Sequence, residues 1–174
     1  IDLPGHGRSS WRPDGDYGPR NNADDLAVML GALAPDAELL VGMSLGGLTV
    51  TSVAARHPGL VRRLVVIDVT PGVTRDKAAV VHAFIEGPQT FPTFADIFDR
   101  TVEFNPTRSP ESLRRGILHN AHRQQDGSWQ WNYDRGLTDR PDGEEKPGAP
   151  EEGVVGDLPD LWDDVSAVQA PTTL

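Results

Sequence analysis

One short stretch restricts the folds open to this chain more than any other. Residues 38–42 form an apolar run of strand length that stops at Gly42-Met43-Ser44-Leu45-Gly46, and residues 45–56 follow as a helix whose small residues Gly46, Gly47, Ala54 and Ala55 permit close packing. A serine on a sharp turn between strand and helix keeps its hydroxyl exposed above the sheet, and the next backbone N–H, that of Leu45, falls at the helix N-terminus. Glycines are expected at 42 and 46 because so tight a turn leaves no room for side chains there, with Gly47 adding clearance. A serine hydroxyl is a weak nucleophile at neutral pH; it needs exposure, a base and a stabilised oxyanion. The turn supplies the exposure and one oxyanion donor. Ser44 is the candidate nucleophile and Leu45 the candidate oxyanion donor, and the alternative is a tight turn packed on a sheet.

The flanking sequence fits a parallel α/β arrangement. Residues 3–22 are dense in Gly, Pro, Asp and Asn and read as loop. A helix is expected from Asn22 as N-cap, with Asp24 and Asp25 in its first turn, Leu26, Leu30 and Leu33 on one face, and an end near Pro35. Pro58 and Gly59 stop the helix that follows Ser44. Leu64-Val65-Val66-Ile67-Asp68-Val69 lacks period-two alternation, which predicts a strand covered on both faces. The order helix, strand, helix, strand predicts right-handed parallel crossovers.

Beyond Pro71-Gly72 the pattern changes to helical pieces at residues 76–86, 94–101 and 109–122, a helical insertion in which Ser109 is the N-cap and Pro110 the first helical residue of the third piece. Residues 125–131 read as a turn followed by an aromatic strand. Trp129, Trp131 and Tyr133 are read as the small core of this insertion, with the lining of an acyl pocket as the alternative. Residues 139–164 are rich in Asp, Glu, Pro and Gly and read as a solvated loop or a hinge. Residues 165–174 lead into another strand. The expected organisation is a core at 1–71, a cap at 72–138, an acidic loop at 139–164 and a return to the core at 165–174.

Composition removes several classes. With 174 residues the chain can hide roughly two-thirds of its unfolded surface in one domain. A formal charge of −10 repels nucleic acid and anionic membrane. The absence of cysteine removes thiolate catalysis, disulfides and zinc–sulfur sites. The longest aliphatic run, Leu64–Ile67, is far too short to cross a bilayer, and no targeting segment is visible, so a cytoplasmic location is the default. Ile1-Asp2 opens without Met and runs straight into a turn, so the chain reads as a piece of a longer one. His119 and His122 have the spacing of a metal pair on one helical face but lack a third ligand, so no metal and no cofactor is assigned. His6 is read as packing or capping its loop and His57 as a favourable charge at a helix C-terminus; His82 falls in a cap helix. None reads as the base.

Three segments together, Asp2-Leu3-Pro4-Gly5-His6-Gly7-Arg8-Ser9, Val41-Gly42-Met43-Ser44-Leu45-Gly46-Gly47 and Leu64-Val65-Val66-Ile67-Asp68-Val69-Thr70-Pro71, resemble the central strands and nucleophile turn of the α/β-hydrolase family. The likeness covers residues 1–71 and, more faintly, 165–174. It implies an α/β fold with a parallel sheet flanked by helices and a cap inserted after the sixth strand. It also implies that a His-Gly segment preceding Ile1 gives the second oxyanion donor, and that the histidine base lies beyond Leu174. The usual triad acid follows the seventh strand; some members carry it at the end of the sixth, and Asp68 occupies that place. Asp68 is thus read either as triad acid or as a cap of the turn after it.

The resemblance points to a serine hydrolase acting on a carboxylic ester or related acyl bond of a small molecule with an apolar acyl part. The same fold also supports C–C bond hydrolysis, thioester hydrolysis, aminopeptidase action, acyl transfer, lyase chemistry and non-catalytic ligand binding. Serine at position 44 argues against the dehalogenase and epoxide-hydrolase branches, which place an aspartate there.

Overall fold

The computed structural model describes residues 1–69, 71–72, 79–134 and 161–174. In chain order the elements are α1 (Pro19–Leu33), β1 (Leu40–Met43), α2 (Leu45–Arg56), a 3-10 turn (Pro58–Leu60), β2 (Leu64–Ile67), α3 (Ala79–Ile85), β3 (Thr90–Phe91), α4 (Phe94–Phe104), α5 (Pro110–Asn120), β4 (Ala121–Arg123), β5 (Trp129–Trp131), α6 (Trp162–Ala167) and β6 (Thr172–Thr173). The chain divides into two compact units, Ile1–Gly15 with Ala78–Gly143 and Asp16–Lys77 with Glu144–Leu174. Residues 76–78, 135–138 and 139–160 of the expected first cap helix, cap end and acidic loop lie outside the described residues.

The second unit carries the Gly-x-Ser-x-Gly turn. Its sheet runs β1-β2-β6 with both pairings parallel; Leu40 to Met43 align with Leu64 to Ile67, and Leu64 and Val65 align with Thr172 and Thr173. The core joins Ala23, Leu26 and Leu30 of α1 to Val50, Val53 and Ala54 of α2, with Val61, Leu64 and Val66 beneath. The expected two-sided burial of β2 does not hold among the described residues. The pleat sends Leu64 and Val66 to the helix side, while Val41, Met43 and Ile67 on the other side stay exposed because no described element of this unit packs there.

Two expectations for α1 are corrected. The helix begins a turn early, with Gly18 as N-cap and Pro19 at the first helical position, where the missing N–H costs nothing. Asn22 is therefore inside the helix, fully buried, and its Nδ2 donates to the Tyr17 carbonyl at 2.8 Å. The buried face runs through Ala23, Leu26, Ala27 and Leu30, and Leu33 at the helix end is exposed. Asp24 then lies beyond the first turn and reaches across to α2, accepting from Arg56 at 2.9 Å and lying 3.3 Å from His57 Nε2.

β2 ends at Ile67 rather than Val69, because Asp68 turns into the left-handed region with φ 55°. Most of the acidic stretch expected at 139–164 is not described, but its end is helical and buried: Leu161 is fully buried, and Asp164 of α6 accepts from Ser52 and Arg20. The helical spacing of Leu161 and Val165 at the end of the acidic run was the available signal. β6, the expected return to the core, completes the sheet.

The first unit is not wholly helical. Helices α3, α4 and α5 accompany an antiparallel sheet in the order β3-β5-β4, whose aromatic side chains share a core of Phe91, Ile97, Ile117, Ala121 and Trp131. Ser109 caps α5 by accepting from Ser112 N, and Thr93 closes a capping box with Asp96 on α4. α5 ends at Asn120, so His122 falls on β4 and not on the helical face that would pair it with His119. The first fifteen residues, expected in the core segment, join this unit through Gly7 N to Asn132 O at 2.8 Å and Asp134 N to Gly5 O at 2.7 Å.

The glycines around Ser44 are not equivalent. A Cβ at Gly42 would overlap the Gly46 carbonyl and lie 2.7 Å from Val50 Cγ2. One at Gly47 would lie 2.6 Å from Val69 Cγ1. At Gly46, contrary to expectation, an added Cβ meets no described atom within 4 Å: its carbonyl, not its Cα, is what crowds the turn. Gly42→Ala is therefore expected to destabilise by about 2 kcal/mol or more, while Gly46→Ala stays within about 1 kcal/mol, as read by chemical denaturation of both variants. A second expectation concerns Asp24. The hydrogen bond from Arg56, the largest influence, holds its carboxyl below the ordinary 3.8, so its contribution is present above that value and fades as acid protonates it below. Because the pair is half exposed, Asp24→Asn should lower stability near neutrality by no more than about 1 kcal/mol, with the difference narrowing progressively as the pH falls below 3.8 in a pH series of melting curves.

Candidate active site

Ser44 sits between the last residue of β1 and the first of α2 with φ 52° and ψ −125°, a conformation that costs a non-glycine residue about 1 kcal/mol or more. The ladder holds it there: Ser44 N donates to Ile67 O at 3.0 Å, extending the β1-β2 pairing by one residue. Its carbonyl accepts from Gly47 N at 2.8 Å and Leu48 N at 3.1 Å, so the helix starts at once. The side chain is exposed, and the hydroxyl has no hydrogen-bond partner among the described residues. The Leu45 N–H is likewise unused among them, at the positive end of a 12-residue helix.

Asp68 occupies the equivalent place on the neighbouring strand. Met43 and Ile67 are register partners, so Ser44 and Asp68 each follow the last residue of adjacent parallel strands, whose axes lie about 4.8 Å apart. Among the described residues these two are the only non-glycine residues with positive φ. The Asp68 side chain is exposed and accepts no hydrogen bond from described groups, and Thr70, in the turn it was weighed to cap, lies outside the described residues.

Three of the histidines have described partners of their own. His57 ends α2, twelve residues along from Leu45 and about 18 Å from it by helical rise, and faces Asp24. His6 Nδ1 lies 3.0 Å from the Pro4 carbonyl within its own loop, where Asp2 accepts from Arg8 N at 3.0 Å. His122 Nδ1 lies 2.6 Å from Asn132 Oδ1. Of His82 only the backbone, in α3, is described. Among the described residues no three His, Asp or Glu side chains converge as a metal site.

In the first unit Trp131 is buried in the aromatic core and packs edge-on to Phe84 and Phe91. Trp129 instead meets Phe94 at 5.0 Å and lines, with Pro92 and Arg123, an open depression of about 500 Å³.

The likenesses to known proteins agree with this geometry. Residues 1–146 match the sequence model of the alpha/beta hydrolase fold. The chain is 43% identical, over its whole length, to the esterase Rv0045c of Mycobacterium tuberculosis, of which it covers 55%. It is 42% identical over 59% of its length to a pimeloyl-[acyl-carrier protein] methyl ester esterase of Chromobacterium violaceum, covering 39% of that protein. A solved structure of the Mycobacterium esterase superposes on 99% of this chain with a TM-score of 0.78, the chain covering 56% of it. That of E-2-(acetamidomethylene)succinate hydrolase, 25% identical, superposes on 98% with a TM-score of 0.76, the chain covering 59% of it. The chain thus spans about half the length of the first of these curated relatives. With a parallel sheet flanked by helices, a serine on a strained strand-to-helix turn and a family match across most of its residues, this chain belongs to the α/β-hydrolase fold family.

Proposed function

We propose that the full-length protein is a serine hydrolase that cleaves a carboxylic ester or related acyl bond of a small molecule with an apolar acyl part. The observation that carries this reading is Ser44: exposed, without a competing hydrogen bond among the described residues, and placed at the start of a helix beside an unused N–H. The esterase names of two relatives support it.

In this reading the Ser44 Oγ attacks the acyl carbonyl carbon while a histidine takes its proton. The carbonyl oxygen becomes the oxyanion and accepts from the Leu45 N–H, which the helix holds in place before the reaction begins. The tetrahedral adduct expels the alcohol, protonated by the same histidine, and leaves an ester on Ser44 that water then hydrolyses. His57 is at the wrong end of α2, and we assign the base to a histidine outside these residues, a reading supported by the greater length of the relatives. Asp68 is the residue we assign to orient that histidine. Its support is the register position next to Ser44 and a carboxylate with no other described engagement.

A fluorophosphonate should label the full-length protein at Ser44, and Ser44→Ala should abolish labelling; absence of label in the unaltered protein would make it a ligand-binding member instead. Asp68→Asn should lower kcat by about 10⁴-fold if it orients the base. A loss under about tenfold in steady-state assays with a p-nitrophenyl ester would return Asp68 to the turn and place the acid elsewhere.

A further inference from the structure

The separation between Ser44 and Asp68 is set twice in this structure. On one side it is set by the β1-β2 ladder. On the other it is set by a brace that runs from α2 to α6, along the chain to β6, and back to β2. Asp164 on α6 is the joint of that brace. Its side chain is 11% exposed, Oδ2 accepts from Ser52 Oγ at 2.6 Å, and its two oxygens receive Arg20 Nη2 at 3.1 Å and Nε at 3.4 Å. Ser52 is fully buried and lies on α2 seven residues, about 10 Å, beyond Leu45. From α6, Val168 and Ala170 pack on the core, Leu64 N donates to Pro171 O at 3.0 Å, and β6 aligns with the start of β2. Two residues before Asp164, Trp162 places its indole Nε1 3.0 Å from where a Cβ at Gly72 would stand, against the turn that follows Asp68.

We propose that Asp164 is a positioning residue for the Ser44–Asp68 pair, acting through α2 and β2. The assignment rests on Ser44 being the nucleophile. The physical reason lies in what a buried carboxylate does and does not contribute. Taking it out of water offsets most of what its partners return, so an apolar side chain of like size serves stability as well or better. What the carboxylate adds is direction, because a 2.6 Å hydroxyl–carboxylate hydrogen bond tolerates little rotation or sliding of one helix on another. Here the helix so fixed carries the strained serine and the oxyanion donor at its N-terminus, and strained backbone persists only where its surroundings over-determine it. Arg20 is 42% exposed on its side chain and can turn to water when Asp164 is replaced, so its charge is not stranded.

The test compares the full-length protein with Asp164→Asn, with Ser52→Ala, and with the apolar pair Ser52→Ala/Asp164→Leu. The readouts are the second-order rate of fluorophosphonate labelling at Ser44, kcat and KM on a p-nitrophenyl ester, and the melting temperature. With Asp164 positioning the pair, labelling and kcat fall by about 10- to 100-fold in the apolar pair while KM and the cooperative melt are retained, and the single variants fall between. Variants that melt cooperatively yet label and turn over within about twofold of the unaltered protein would overturn the proposal and leave Asp164 a structural contact. Failure of the unaltered protein to label removes the Ser44 reading itself, and this assignment with it, and is distinguished by needing no variant.

Discussion

The close approach of two backbone segments at Gly42 and Gly46 is the constraint on which the second unit depends. Only with no side chain at 42 can the Gly46 carbonyl stand against the end of β1, and only then can the chain leave the sheet and enter α2 within a single residue. That single residue is Ser44, and its positive φ is the consequence of turning so abruptly. The turn is held by the Ser44 N to Ile67 O hydrogen bond below it and by Gly47, whose bare Cα lets α2 settle onto Val66 and Val69. Backbone strain of this kind persists when many weak contacts oppose its release, and here the packing of α1, α2 and β2 opposes it.

The same packing explains why so much polar chemistry sits behind a small sheet. α1 and α2 are tied by Asp24 to Arg56 at their exposed ends and by Arg20, Ser52 and Asp164 in the interior. The two sets of contacts differ in kind. The outer one is half exposed on both sides and worth little, while in the inner one the Ser52 hydroxyl and the Asp164 carboxylate are buried and directional and only Arg20 reaches water. The first unit is built on other terms, with aromatic rings meeting edge to face and short capped helices around an antiparallel sheet. An aromatic core suits a small unit because each ring buries a large area for few ordered torsions.

Much of the site was legible before any coordinates. Ser44, Leu45 and the boundaries of α2 follow from an apolar run, a glycine-flanked serine and a helix-compatible run in direct succession, because local turn geometry is encoded by local residues. Asp68 was legible as a charge ending an apolar strand. Its conformation was not, since nothing in the residue type announces a positive φ. The N-cap of α1 was misplaced at Asn22 because a proline at the first helical position and a good capping residue three positions on both mark a helix start, and burial of Asn22 decided between them. Asp164 was hidden for a related reason: an aspartate in an acidic, proline-rich run looks solvated until the partners that bury it, 112 and 144 residues away in sequence, are known.

Sequence alone therefore determined what depends on neighbours along the chain: the strand-to-helix turn, the serine it presents, the parallel order of the core and the cap of α5, where hydroxyl and proline fall in register. Tertiary structure alone decided what depends on neighbours in space. It made Gly42, not Gly46, the residue that must lack a side chain, set Ser44 beside Asp68 through the register of Met43 with Ile67, and left one face of the sheet uncovered among the described residues. The physical reason is the same in each case. Hydrogen bonding along a helix or turn is specified within a few residues, whereas close contact and burial are properties of surfaces that meet only after folding.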